Sequence, residues 1–333
     1  MEDIRIYDFD FNLLCIENRT ISSNWYLKNN GIGSFEMHFT LDSEVCETIQ
    51  ESFDITKNKL IVVVQGNKQG ILTGFRVKDE LAIYGKTCNF LLSKRLVPKF
   101  STNGLDIKKD VESISRYCVE NAFSDVENFV LGQSVGFEEI YTGDKHFWRN
   151  VYNPACEVVH DLMDIGGGGH FVLFDIKNKK WVFNTTKNMV NPMMISVQMK
   201  NAYGIENTKM IGDYCSCGWY EMQQKMEDGV RPDSVWTFIE KDEKSGIYRW
   251  EGKLDGLYES EATSDLKNKK ITDNTELSLR KVCFEKDFQL GDIVTLQYKF
   301  GRFEKTVKKI VDGIYLTFEN NNISEKLVFK EVD

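Results

Sequence analysis

The sequence predicts a mainly β protein carrying a helix-containing α+β insertion. The first hundred residues hold many short runs rich in β-branched and aromatic residues, punctuated by Asn and Gly. Residues 106–122 and 153–163 instead repeat their apolar positions at helical spacing. Residues 293–332 return to strand-like runs broken by Gly-containing pairs.

In chain order, Ile4–Tyr7, Leu13–Glu17, Ile21–Tyr26 and Ser34–Phe39 read as strands. Ser34–Phe39 alternates apolar and polar residues, the mark of a half-buried strand. Asp42-Ser43 offers an N-cap for a helix to about Gln50. Strands resume at Leu60–Val64, Gln69–Val77, Leu81–Tyr84 and Cys88–Leu92, and so many at close spacing suggest a barrel or sandwich. A helix is expected over Asp106–Ala122, then strand-like chain from Phe129 to Tyr141. A second helix is expected to Met163, with Asn153 as N-cap and Pro154 at its first position. Phe171–Phe174 and Trp181–Phe183 form a hairpin across Asp175–Lys180. Met193–Met199 and Val235–Glu240 read as strands, and Trp219–Met226 as helical or extended. The polar stretch 259–275 reads as a linker or an exposed, turn-rich segment. Ile293–Tyr298, Arg302–Val311, Ile314–Phe318 and Lys326–Val332 make four closing strands, with tight turns at Phe300-Gly301 and Asp312-Gly313. That is the pattern of a small closed β domain.

With 333 residues the chain can bury a sizeable core and suggests two or three domains. No apolar run approaches the roughly 20 residues that cross a bilayer. The acidic, strand-like start lacks the features of a signal peptide, so synthesis in the cytosol is expected. Six of the eight cysteines are scattered singly; only Cys215 and Cys217 are close, and one C-x-C makes no zinc site. Reduced, buried thiols are expected. The net charge is −9, concentrated in residues 213–262, which carry 6 basic against 12 acidic side chains. Without a basic stripe the chain should not grip nucleic acid, although nucleic acid could slide past it.

The stretch Ile165-Gly-Gly-Gly-Gly-His-Phe-Val-Leu-Phe-Asp175 is the most suggestive of chemistry. Phosphate loops place glycines before a helix, where free N–H groups meet the anion. Here a helix precedes the glycines, so they face its negative end and read as a C-cap into a strand. His160 and His170 flank the run, but neither belongs to a helical metal pair. A Cys156–His160 nucleophile pair has no local signature, though partners can meet in space. Asp8 with Asp10 and Glu138 with Glu139 are what 51 acidic residues produce by chance. The six tryptophans, Trp25, Trp148, Trp181, Trp219, Trp236 and Trp250, are dispersed rather than grouped for sugar stacking. No catalytic, cofactor-binding or metal residue is expected, and no cofactor; the inventory points to a structural protein.

Several stretches also carry a resemblance. Ile4-Arg-Ile-Tyr-Asp-Phe-Asp-Phe-Asn-Leu-Leu14, Ser22-Ser-Asn-Trp-Tyr26 and Gly33-Ser-Phe-Glu-Met-His-Phe39 resemble the start of bacteriophage tail-hub or tail-tip proteins. Gly70–Phe75, Leu81–Gly85 and Leu91–Arg95 resemble that family's paired strands and the close of its first domain. His170–Asp175 with Lys180–Phe183 is similar to its central hairpin. Tyr248–Glu251 and Asp287–Thr295 resemble its late landmarks, whereas residues 191–245 depart from the pattern.

The resemblance implies an N-terminal tube-like β-barrel domain at 1–100 and a helix-containing α+β domain at 101–190. It further implies a second tube-like β domain at 191–275 and a small C-terminal β-barrel-like domain at 276–333. It implies a non-enzymatic homotrimer whose barrels form a pseudo-sixfold ring. That ring would join the hexameric tail tube protein to a spike or tip protein, among other baseplate proteins, in a virion tail. DNA would only pass through its lumen, which residues 213–262 would make acidic. Two alternatives stay open: a cell-wall-degrading tail enzyme, and a tail-tip protein that binds the host surface.

Overall fold

The computed structural model describes residues 2–57, 59–98, 110–138, 152–222, 235–256, 259–319 and 322–332. The chain forms two compact units, one of Met1–Glu206 with Glu276–Asp333 and one of Asn207–Thr275. It begins with β1 (Ile4–Asp8), β2 (Leu13–Glu17), β3 (Ser22–Lys28), β4 (Ser34–Phe39), helix α1 (Glu44–Ser52), β5 (Ile61–Gln65), β6 (Lys68–Val77) and β7 (Leu81–Thr87). Next come α2 (Val111–Ala122), β8 (Phe129–Leu131), α3 (Ala155–Gly166), β9 (Gly168–Asp175), β10 (Lys180–Lys187), β11 (Val190–Ser196) and β12 (Ala202–Met210). The second unit contains β13 (Cys217–Met222), β14 (Val235–Glu240), β15 (Glu251–Lys253) and α4 (Glu259–Asn268). The chain returns through β16 (Thr272–Leu279) to β17 (Ile293–Phe300), β18 (Phe303–Glu319) and β19 (Asn322–Glu331). The protein is mainly β, as expected.

Most strands join one sheet in the order β12-β16-β19-β18-β3-β4-β7-β6-β5-β1-β2, with β17 pairing β18 and β11 pairing β17. Alternation decides its inner face: Phe35, Met37 and Phe39 of β4 point in, between half-buried Ser34, Glu36 and His38. Their core includes Trp25, Ile83, Leu296, Leu316 and Phe329. In β5, Ile-Val-Val-Val-Gln, all five residues are buried. Ile61 and Val63 enter that core, while Val62 and Val64 enter a second one with Tyr7 and Ile71. This second core is built by α2, α3 and the three-stranded sheet β8-β10-β9. A strand without alternation is thus a strand covered on both sides.

Four expectations are corrected. Cys88–Leu92 is a 3-10 helix, Cys88–Lys94, because Cys88, Asn89 and Leu92 are buried together at helical spacing. Asn153 does not cap α3: its carbonyl accepts from the Val97 N–H, Pro154 is the cap residue, and the Ala155 N–H donates to the Arg95 carbonyl (2.9 Å). The 259–275 linker is α4 plus the first half of β16. Ala262 and Leu266 bury one face of α4, and inward Asp273 and Thr275 disguise the alternation of β16. Arg302–Val311 and Ile314–Phe318 are one strand, β18, because Asp312-Gly313 makes a bulge where the register against β19 shifts. Its first half pairs β17 and its second half pairs β3.

Elsewhere the elements shift by a few residues. The 106–122 helix starts at Val111 with Asp110 as its cap, the Ser113 N–H donating to Asp110 Oδ1 at 2.8 Å. Residues 106–109, 139–141 and 223–226, which those expectations also covered, lie outside the described residues.

One glycine fixes how three strands stack. A Cβ on Gly85 would lie 2.1 Å from the Phe35 ring and 2.4 Å from the Ile71 carbonyl oxygen, whereas one on Gly74 meets nothing within 4 Å. Gly85→Ala should lower stability by about 1–3 kcal/mol, the usual penalty for overpacking. Gly74→Ala should stay within about 0.5 kcal/mol, as most harmless substitutions do. Chemical denaturation of both variants beside the parent checks the difference.

Candidate functional site

The glycine run is a junction, and its geometry follows residue by residue. Helix α3 ends at Gly166, and Gly167 takes the left-handed conformation (φ 65°, ψ 51°), its N–H donating to the Asp164 and Met163 carbonyls. That is a C-cap, as the sequence order implied. Gly168 and Gly169 already pair with Lys187 and Thr186 of β10. Close approaches of backbone need glycine at Gly168 and Gly169, where a Cβ would sit 2.4 Å from the Thr186 and 2.3 Å from the Asn29 carbonyl oxygen.

Beyond it lies a buried polar cluster. Asn30 Nδ2 donates to the His160 carbonyl and to Asp164 Oδ1, each at 2.9 Å. This fixes the amide so that its Oδ1 faces His170 Nδ1 at 2.8 Å. His170 Nδ1 therefore carries the proton, and His170 Nε2 is a buried acceptor without a partner. Burial, with His160 adding repulsion, pushes the His170 imidazole down to about 3. Asp164 also accepts from Lys330 Nζ at 2.7 Å. Burial pushes the Asp164 carboxyl up, but Lys330, Asn30 and His160 outweigh it and hold it low. No three ligating side chains gather for a metal among the described residues. The arrangement locks a helix end to a sheet.

The outer edge of β9 shows what the cluster is for. The His170 N–H donates to the Asn29 carbonyl at 3.1 Å. Asn89 accepts from the Val172 N–H at 2.7 Å and donates to the His170 carbonyl at 3.1 Å. Gln69 does the same for both groups of Phe174, at 2.7 and 3.0 Å. Side-chain amides stand where another strand's backbone would.

The other candidates resolve without chemistry. Cys156 is half-buried, and burial with the Glu157 charge raises its thiol, the opposite of an activated nucleophile. His160 turns Nδ1 to the Asn30 carbonyl (3.1 Å) and lies 3.8 Å from Asp164 through Nε2. Cys215 and Cys217 are buried. Asp8 closes its turn by accepting from the Asp10 and Asn12 N–H groups, and Glu139 and Trp148 lie outside the described residues.

One buried carboxylate escaped the sequence reading. Glu112, 1% exposed, accepts from Thr185 Oγ1, Ser134 Oγ and the Val135 and Gly136 N–H groups at 2.5–2.9 Å. Burial pushes it up, but these four donors prevail and its carboxyl sits below the ordinary value. No local motif announces such a group; its donors come from 22 to 73 residues away.

The structure does gather some dispersed aromatics. Trp219 pairs with Phe238 across β13 and β14, their rings 5.1 Å apart, and Trp236 follows on the same face. Arg249 lies over Phe238 at 4.8 Å and Lys253 over Trp236 at 5.4 Å, so the chain's own cations occupy these ring faces.

Two outcomes follow. Because the folded value of His170 is far below the ordinary 6.5, unfolded chains bind the extra proton, and stability should fall as pH drops from about 6.5 towards 3. The slope should reach about 1.4 kcal/mol per pH unit and flatten below pH 3; His170→Gln should remove that component in unfolding titrations. Glu112→Gln should lose about 2–3 kcal/mol at neutral pH, since an amide NH₂ would face N–H donors. As Glu112 is depressed, the parent's advantage over that variant should be present above the ordinary carboxylate value and fade as pH falls through the folded one.

No protein-family model matches the chain, and no curated protein sequence matches it. Solved structures do. The 43 kDa tail protein of prophage MuSo2 from Shewanella oneidensis superposes with a TM-score of 0.57 at 11% identity, covering 99% of this chain and 98% of that one. A tail protein from Neisseria meningitidis MC58 gives 0.59 at 10% identity, covering 99% and 96%. Prophage tail protein gp18 from Listeria monocytogenes EGD-e gives 0.50 at 12% identity, covering 99% and 95%. With identity this low and coverage this complete, the chain has the fold of these phage tail proteins, from one end to the other.

Proposed function

We propose that this protein is a structural tail hub of a bacteriophage or phage-tail-like particle. The observation that carries the reading is fold coverage of 95% or more of both chains in three tail proteins. The site chemistry supports it. His170 and Glu112 are hydrogen-bonded, Asp164 is ion-paired, and the Cys156 thiol is raised by burial. What the chain offers outward is strand edges and apolar side chains. Val190 at the start of β11 and Met189 just before it are both 67% exposed, and Met199 beyond its end is 58% exposed.

In this reading the strands of the chain close into tube-like barrels. Three copies make a ring that continues the hexameric tail tube and holds a spike or tip protein. DNA passes the lumen without being gripped, consistent with a net charge of −9. The protein is made in the bacterial host and resides in the tail.

The deciding experiment is stoichiometry and position in intact particles. Cryo-electron microscopy of particles carrying a tagged chain should find three copies at the distal end of the tube. Six or more copies at the periphery would overturn the reading. Cys156→Ser and His160→Ala should leave any wall-degrading activity of the particle unchanged.

A further inference from the structure

Strand β18 carries two unlike surfaces at its ends. At one end, Phe300 and Phe303 close the β17–β18 hairpin opposite each other, with Gly301 at φ +59° making the tight turn. Both phenylalanines are exposed, 43% and 58%, although nothing in a two-residue turn requires aromatic rings in water. Exposed Lys299 and Arg302 flank them, with exposed Glu304 opposite Lys299, so the tip is apolar and carries one net positive charge.

At the other end lies a cavity of about 560 Å³, within the size range of ligand pockets. Phe284, Leu316, Phe318 and Ile323 give it apolar walls, and Glu2, Glu285, Glu325 and Lys68 its charges. Lys68 is already paired with Glu2 at 3.0 Å, which leaves the lining acidic through Glu285 and Glu325. Burial, together with the charges of Glu285 and Asp287, raises the Glu325 carboxyl, so a cation arriving there would relieve an existing repulsion.

We propose that the Phe300–Phe303 hairpin tip of one copy docks into the Glu285/Glu325 cavity of the next. The match is of both kinds, rings to an apolar wall and Lys299 or Arg302 to a lining with three carboxylates against one ammonium. The occupant is a second copy, because the tip complements this cavity in both apolar surface and charge and lies too far from the cavity of its own chain. From Phe303 to Phe318 is roughly 50 Å along the strand at about 3.3 Å per residue. Surfaces at opposite ends of one element produce head-to-tail contacts, which close into rings when the rotation permits. This rests on the reading that copies of the chain assemble with one another, and it names the surfaces they use.

Cys283, an exposed free thiol lining the cavity, supplies the test. Glu304→Cys places a second thiol beside the tip and leaves Phe300, Arg302 and Phe303 in place. Copper–phenanthroline oxidises two apposed thiols to a disulfide, taking up two electrons as two protons are released. The full chain carrying Glu304→Cys should give a non-reducing ladder that ends at three copies. The ladder should vanish with Cys283→Ser, and Arg302→Glu should weaken it at least tenfold. Mass measurement of the parent chain separates the two ideas. A trimeric mass without a Cys283-dependent cross-link overturns the docking and leaves the ring standing. A Cys283-dependent ladder that runs past three copies upholds the docking and overturns the three-membered ring. A monomeric mass with no cross-link overturns both.

Discussion

The first unit depends on strand β5, with the adjoining parts of β1 and β6, being covered on both faces. Val63 and Val64 are neighbours in sequence yet belong to different hydrophobic cores. Removing the helices and hairpin would expose Tyr7, Val62, Val64 and Ile71. Removing the large sheet would leave α2, α3 and β9 without a floor. Each core is therefore the other's support, and apolar burial, the main driving force of folding, acts on both at once.

Such a seam has a polar consequence. Backbone groups of β9 are taken from water, and burying them without partners would be expensive. The Asn29 carbonyl and the side-chain amides of Gln69 and Asn89 answer for them, supplied from the turn after β3, from β6 and from the 3-10 helix. Neutral amides suit this better than charged side chains because they donate and accept with no ionic desolvation. His170 is the one member left with an idle nitrogen. The same cluster that resembled an active site in the sequence is what lets the two layers meet.

The alternation of Ser34–Phe39, the apolar run of β5, the cap at Asp110 and the C-capping role of the glycines were legible because short-range rules govern them. What stayed hidden was long-range. Asp273 and Thr275 point inward from β16 because Asn207 bonds to both, and no window around 273 contains that partner. Asp312-Gly313 carries a turn signature, yet β3 and β19 flank it on either side and hold the strand straight enough to bulge. Cys88–Leu92 reads as a strand until Asn89 is needed as a bracket for β9. Glu112 gave no signal at all, since its four donors converge only after folding.

The amide-lined edge of β9 also governs what the molecule can do among its own kind. An exposed strand margin recruits foreign chains, and proteins that live at high local concentration must block it. Here the blocking groups are two side chains, Asn89 and Gln69, too short to propagate a ladder and fixed by bonds of 2.7–3.1 Å. That margin is shut to amyloid-like addition. The large sheet has its margins elsewhere, at β2, β12 and β11, so a strand added to this molecule would join it there and not at β9.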